Sequence, residues 1–149
     1  MNGKTHQAIA IPAGVAFSLF QSQEQPVLGK MLEAAGAGLA ASFGARLPDI
    51  WDLPTNPNHR SWAHSFLGAA SVGSYIYQNV QMAQNSLREQ AASHARASQL
   101  AVDPLTKILH TLCEWLYRFL SGCLVGFVVG YGSHLTLDAF TPRSLPWIS

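Results

Sequence analysis

Charge is what this sequence lacks most. Asp, Glu, Lys and Arg make up only 11% of its 149 residues, against about 25% in an ordinary soluble domain. Nine basic and eight acidic residues leave a net charge of +1, which gives no electrostatic basis for nucleic-acid binding. Cysteine is nearly absent as well. Cys113 and Cys123 are the only two, too few for a disulfide scaffold or a CxxC metal site. If one helix carries both, roughly 15 Å of axis separates them, beyond the reach of a disulfide. There is no P-loop, nucleophile elbow, HExxH or dinucleotide fingerprint. Alternating strand patterns, internal repeats and heptads are missing too, so the natural class is all-α.

Hydrophobic residues stand at 48%, and Gly, Ser, Gln and Ala fill much of the remainder. Such a chain is too apolar for disorder, and its length suits a single domain spanning 1–149. Residues 5–23, 34–45, 61–87 and 119–137 contain no charged side chain. A bilayer-spanning helix needs about 20 mostly apolar residues. Residues 61–87 and 119–137 are long enough or nearly so, but both still carry Ser, Gly and His. The mean hydropathy of +0.12 is low for a multi-span protein. Composition therefore leaves two readings open: a soluble bundle with weakly polar core helices, or a bundle embedded in or lying on a membrane. Lys4 ahead of the apolar run 8–20 faintly resembles a signal peptide, but Pro12 interrupts it and no cleavage signal follows. The expectation is mature structure.

Four main helices are expected. The first covers about 5–20, with Thr5 as N-cap and Pro12 as a kink or late start. The second covers about 27–46 and is rich in small residues, which suits close helix packing. A loop is expected over 47–60, where Pro48, Pro54 and Pro57 fall. The third helix runs from about 61 past 88. Its polar part, 81–99, is expected to protrude as an arm reaching to about 107. Asp103 and Pro104 form an N-cap followed by proline at the first helical position. The fourth helix then covers about 105–131. It is expected to break near 130–133, with a short turn carrying His134 to Ala139.

Four helices on short connections alternate up and down. That alternation brings the start of the first helix, the loop after the second and the end of the fourth to one end of the bundle. Those places hold His6, then Asp49, Asp52, His59 and His64, then His134 and Asp138. At i and i+4, His134 and Asp138 share a helical face. They can ligate one cation together, or simply hydrogen-bond. Asp138 closes a long charge-free run, and a buried carboxylate needs a cation, a metal or strong donors. Three of the four aspartates lie near histidines, whereas Asp103 has its capping role. Plainer readings stand beside these: Asp49 can cap a turn after Pro48, and Arg60 can pair with Asp52. His59 and His64 lie five apart, so they share no helical face well. His110 and Glu114 also stand at i, i+4, but Glu114 has Arg118 as its own i+4 partner. His94, in the polar stretch, is expected to be solvated.

At these residues the chain resembles the YdjM-like family of membrane-bound metal-dependent hydrolases. The matching pieces are Thr5-His6, Leu47-Pro48-Asp49-Ile50, His59-Arg60 with His64-Ser65, and the run from Gly130 to Leu135 with Asp138 and Thr141-Pro142. The resemblance implies an α-helical, inner-membrane-associated protein with a His/Asp metal site. More distantly, the pattern is similar to zinc-dependent phospholipase C and P1 nuclease. By position, the implied metal ligands are His6, Asp49, His64, His134 and Asp138. The family often has a PDIDH-like run, where this chain has Asp49-Ile50-Trp51-Asp52.

The expected function is a membrane-associated, metal-dependent hydrolase acting on a phosphoester or lipid-like substrate, with membrane lipid as its partner. Zn²⁺ is the favoured cofactor, with Mn²⁺ or Fe²⁺ as alternatives. His59 or Asp52 would act as general base or orient a ligand, and Arg60 would hold a phosphate oxygen. One rival reading is a non-catalytic membrane protein with a structural His/Asp cluster. Another is a partner-binding module that docks through 81–99.

Overall fold

The computed structural model describes residues 3–51 and 66–139. Among them are four long helices and one short one: α1 (Gly3–Gln21), α2 (Val27–Gly44), α3 (Leu47–Trp51), α4 (Phe66–Leu100) and α5 (Pro104–Ala139). Helix α1 already includes Gly3, so Thr5 lies inside it and does not cap it, and the helix continues through Pro12. Residues 47–51 form α3 where a loop was expected. Pro48 does not oppose this, because proline is tolerated in the first turn, where its missing N–H has no helical acceptor. Residues 52–60 of the expected loop and the expected third-helix start at 61 lie outside the described residues. Helix α5 runs unbroken through 130–133. Gly130 there serves close packing against α2, Gly132 packs on nothing, and neither interrupts the helix.

Contacts fix the up-down alternation. In α1 and α2, which are antiparallel, Gln7 Nε2 donates to Ser42 Oγ at 2.8 Å. In α4 and α5, also antiparallel, His94 Nδ1 meets His110 Nδ1 at 2.9 Å. Helices α2 and α5 run parallel along a seam of small residues. A methyl group placed at Gly122, Gly126 or Gly130 would strike the backbone of Glu33, Ala37 or Ala41. From the other side, Gly36 and Gly44 meet the backbone carbonyls of Phe119 and Phe127. Such a small-xxx-small ladder lets two backbones approach closely, a device of helix packing in lipid.

The interior is polar and the exterior apolar. Among the largest fully buried side chains are His6, His134, Gln84 and Glu33. The apolar core is mostly alanine, with Ala10, Ala41 and Ala45 in one cluster. Meanwhile Phe20 is 72% exposed, Val27 73%, and Met31 and Phe43 63% each. In water this distribution would be costly, because burial of large apolar side chains is the main favourable term in folding. In a bilayer the outer face meets lipid instead. One described helix, over Pro104–Asp138, is long and apolar enough to cross a membrane, and only 28% of its most apolar stretch is buried within the chain.

The polar stretch 81–99 does not stand free. Gln84 and Ala91 are fully buried, and Arg88 reaches Glu33 on α2. His94 is not simply solvated: it pairs with His110 and stacks on Tyr117, ring centroids 5.5 Å apart. Glu114 and Arg118 form the expected ion pair, at 2.9 Å. Asp103 caps α5. Its Oδ2 accepts from the Thr106 N–H at 2.8 Å and the Thr106 hydroxyl at 3.0 Å. The Thr106 N–H, followed by its hydroxyl, holds the Asp103 carboxyl below its ordinary range. Both cysteines are free.

Candidate metal centre

Three elements place the cluster. Helix α1 brings His6 from its first turns, and α5 brings His134 and Asp138 one turn apart on one face. Helix α3 brings Asp49 in its first turn. His6, His134 and Asp138 are 1%, 0% and 5% exposed. Asp49 stands at the rim, its side chain 53% exposed.

The polar atoms converge. His6 Nε2 lies 3.4 Å from Asp138 Oδ1, and His134 Nε2 lies 3.4 Å from Asp138 Oδ2. His134 Nε2 is also 3.5 Å from Asp49 Oδ1. One ligand atom from each of His6, His134 and Asp138 can be chosen so that all lie within 4.8 Å of one another. The two imidazoles stack, with centroids 4.1 Å apart and planes inclined by 22°. Asp138 thus presents one oxygen to each ring.

His134 is oriented by the backbone. Its Nδ1 lies 2.6 Å from the Ala45 carbonyl oxygen. A carbonyl only accepts, so Nδ1 carries the proton and donates. In the neutral ring the lone pair is then on Nε2, the atom facing both carboxylates. A ring nitrogen fixed by a carbonyl is the usual arrangement behind a metal-ligating histidine.

The separations test whether a cation fits. In a tetrahedral site with bonds of about 2.0–2.2 Å, ligand atoms stand roughly 3.3–3.6 Å apart. The N···O separations of 3.4, 3.4 and 3.5 Å are individually of that length, the two to Asp138 involving different oxygens of its carboxylate. They are longer than the usual N–H···O range of about 2.7–3.2 Å. The donor set, neutral imidazole with carboxylate, also suits a divalent transition metal.

Of the residues the sequence singled out, His6, Asp49, His134 and Asp138 come together here. Asp52, His59, Arg60 and His64 lie outside the described residues. Sequence reasoning missed Ala45, whose part is played by its main chain and leaves no trace in residue type. It also missed the Gly122, Gly126, Gly130 ladder, which its i+4 spacing announces. Glu33 was overlooked although it is the last acidic residue before a charge-free, small-residue run, a pattern that marks a functional or structural group in a membrane helix.

Fold and cluster together define the class: an all-α membrane protein with a polar interior and a buried His/Asp centre at one end. Residues 1–149 match the model of the YdjM inner membrane protein family, and the chain belongs to that family. No curated protein and no solved structure matches it.

Proposed function

We propose that this inner membrane protein is a metal-dependent hydrolase acting on a phosphoester or lipid-like substrate. The observation that carries the proposal is the buried group of His6, His134 and Asp138, with one ligand atom from each within 4.8 Å of the others, and Asp49 Oδ1 3.5 Å from His134 Nε2. In this reading His6, His134 and Asp138 hold the metal, Zn²⁺ before Mn²⁺ or Fe²⁺, and Asp49 completes the site from the rim. When bound, the cation supplies Lewis acidity and lowers the pKa of a coordinated water towards about 7. The Ala45 carbonyl keeps His134 in the ligating tautomer. Asp138 bridges the two rings and fixes their spacing. Asp49, half in solvent, marks the side from which substrate and water approach. His64 serves as a further ligand, His59 or Asp52 as the group that takes a proton, and Arg60 as the holder of a phosphate oxygen. These four residues lie in the segment between α3 and α4. Helix α3 ends beside the cluster, and the antiparallel α4 begins at the same end of the bundle.

A second reading is a structural cluster without catalysis, favoured by the near-complete burial of three of the four groups. The exposure of Asp49 favours the open, catalytic site. Elemental analysis of purified protein tests the metal: about one divalent metal per chain is expected, and it should be lost in His134→Ala and Asp138→Ala. Wild-type protein without metal, after reconstitution with Zn²⁺, would remove the metal reading. Phosphoester hydrolysis by wild type but not by those variants supports the enzyme. Bound metal without hydrolysis of any phosphoester or lipid supports the structural cluster.

A further inference from the structure

A second polar centre lies along the bundle axis from the first. His6 is level with His134 and Asp138. Twelve residues further along α1, about 18 Å, Ser18 is therefore level with Gly122 on the antiparallel α5. Gly122 packs on Glu33 of α2. The His94–His110 contact sets the α4–α5 register and puts Gln84 level with residue 120. Four helices thus contribute polar side chains to one layer: Ser18 and Gln21, Glu33, Gln81 and Gln84, and Ser121.

The charges in this layer compensate each other. Glu33 is fully buried. Arg88 Nε donates to its two oxygens at 3.1 and 3.2 Å, and a terminal guanidinium nitrogen donates at 2.6 Å. The neutral groups around the pair are not compensated. Gln84 is 0% exposed, yet neither its Oε1 nor its Nε2 has a hydrogen-bond partner. Ser18 Oγ, Ser121 Oγ, Gln21 Oε1 and Gln81 Nε2 are buried without one as well. Native interiors leave very few such groups unsatisfied, and a cluster of them in one layer calls for a ligand.

We infer that this layer is a hydrated chamber, a second binding site whose ligands are water molecules. The unpartnered set mixes donors with acceptors, as water requires. Its charged groups are paired, Glu33 with Arg88 and the buried Arg118 with Glu114, so it has no excess charge to attract an ion. Amides and hydroxyls are also poor ligands for the transition metals that suit the His/Asp cluster. The end of α1 beside the layer carries half-buried Gln21 and exposed Gln23 and Glu24.

Cysteine accessibility tests this in detergent-solubilised, full-length protein with Cys113→Ser and Cys123→Ser as background. The probe is 2-aminoethyl methanethiosulfonate, which needs a thiolate and so reacts only where water solvates the sulfur. Gln84→Cys and Ser121→Cys are expected to label at least about tenfold faster than Val125→Cys, a buried apolar position one turn from Ser121. Labelling no faster than Val125→Cys overturns the chamber. Gln84→Met gives a second readout should a cysteine variant fail to fold. A hydrated amide lost to methionine lowers the melting temperature. A rise would mean that the amide was dry and unpaired, and would also overturn the inference.

Discussion

The residues that most constrain this molecule are its few buried ionisable ones. Glu33 shows why. Its carboxylate is fully buried and held by Arg88 alone among the described charges. Glu33→Ala leaves the Arg88 guanidinium without its carboxylate, and breaking one half of such a buried pair costs about 3–5 kcal/mol. Replacing both partners by methionine should recover most of that loss, which denaturant unfolding of the single and double variants in detergent will read. The histidines differ in how legible they are. His134 and Asp138 are visible in sequence because an i, i+4 pair closes a charge-free run. His6 is visible only through topology, because nothing around it marks a site until the helices alternate. The pairing of His94 with His110 is hidden, because it depends on the register between α4 and α5, which no local pattern encodes.

At the scale of elements, the seam between α2 and α5 holds the bundle together. Gly126→Leu forces a side chain into the Ala37 backbone and should destabilise the protein by about 1–3 kcal/mol or more. Gly132 is the contrast. A methyl group there meets nothing within 4 Å, so Gly132→Ala should stabilise α5 by about 0.5–1 kcal/mol. Thermal unfolding of the two variants should shift in opposite directions. The N-terminus of α5 gives a pH-dependent test. The folded Asp103 carboxyl titrates below its unfolded value. Its capping contribution is therefore complete above the unfolded value of about 3.9 and is lost as pH falls through the lowered folded value. Amide exchange at Leu105–Lys107, corrected for intrinsic rates, should accelerate in that acid range, and Asp103→Ala should show the faster exchange already at neutral pH. This cap is fully legible in sequence, since Asp followed by Pro announces a helix start. Helix α3 is less so, because the prolines of 47–60 argue for a loop and only tertiary placement beside α2 and α5 turns five residues into a helix. The expected break at 130–133 failed for a related reason. Glycine weakens a helix locally, but here it is where another backbone comes closest.

Across the whole molecule the distribution of polarity is reversed relative to a soluble domain, with histidine, glutamine and glutamate inside and phenylalanine, leucine and methionine outside. The protein should therefore stay in the membrane pellet after a high-salt and alkaline wash and need detergent for release. Recovery in the wash would contradict the lipid-facing exterior. Sequence composition could not choose between water and lipid, because 48% hydrophobic residues fit both and only the fold shows which side they take. The hold on His134 has a further consequence. Its anchor is the main-chain oxygen at position 45, a group that every amino acid carries. No substitution there can delete the acceptor; only moving the end of α2 can. The cluster's proton placement is thus inherited from how two helices dock. A lesion far along their glycine seam can retune the centre without altering any residue that touches it.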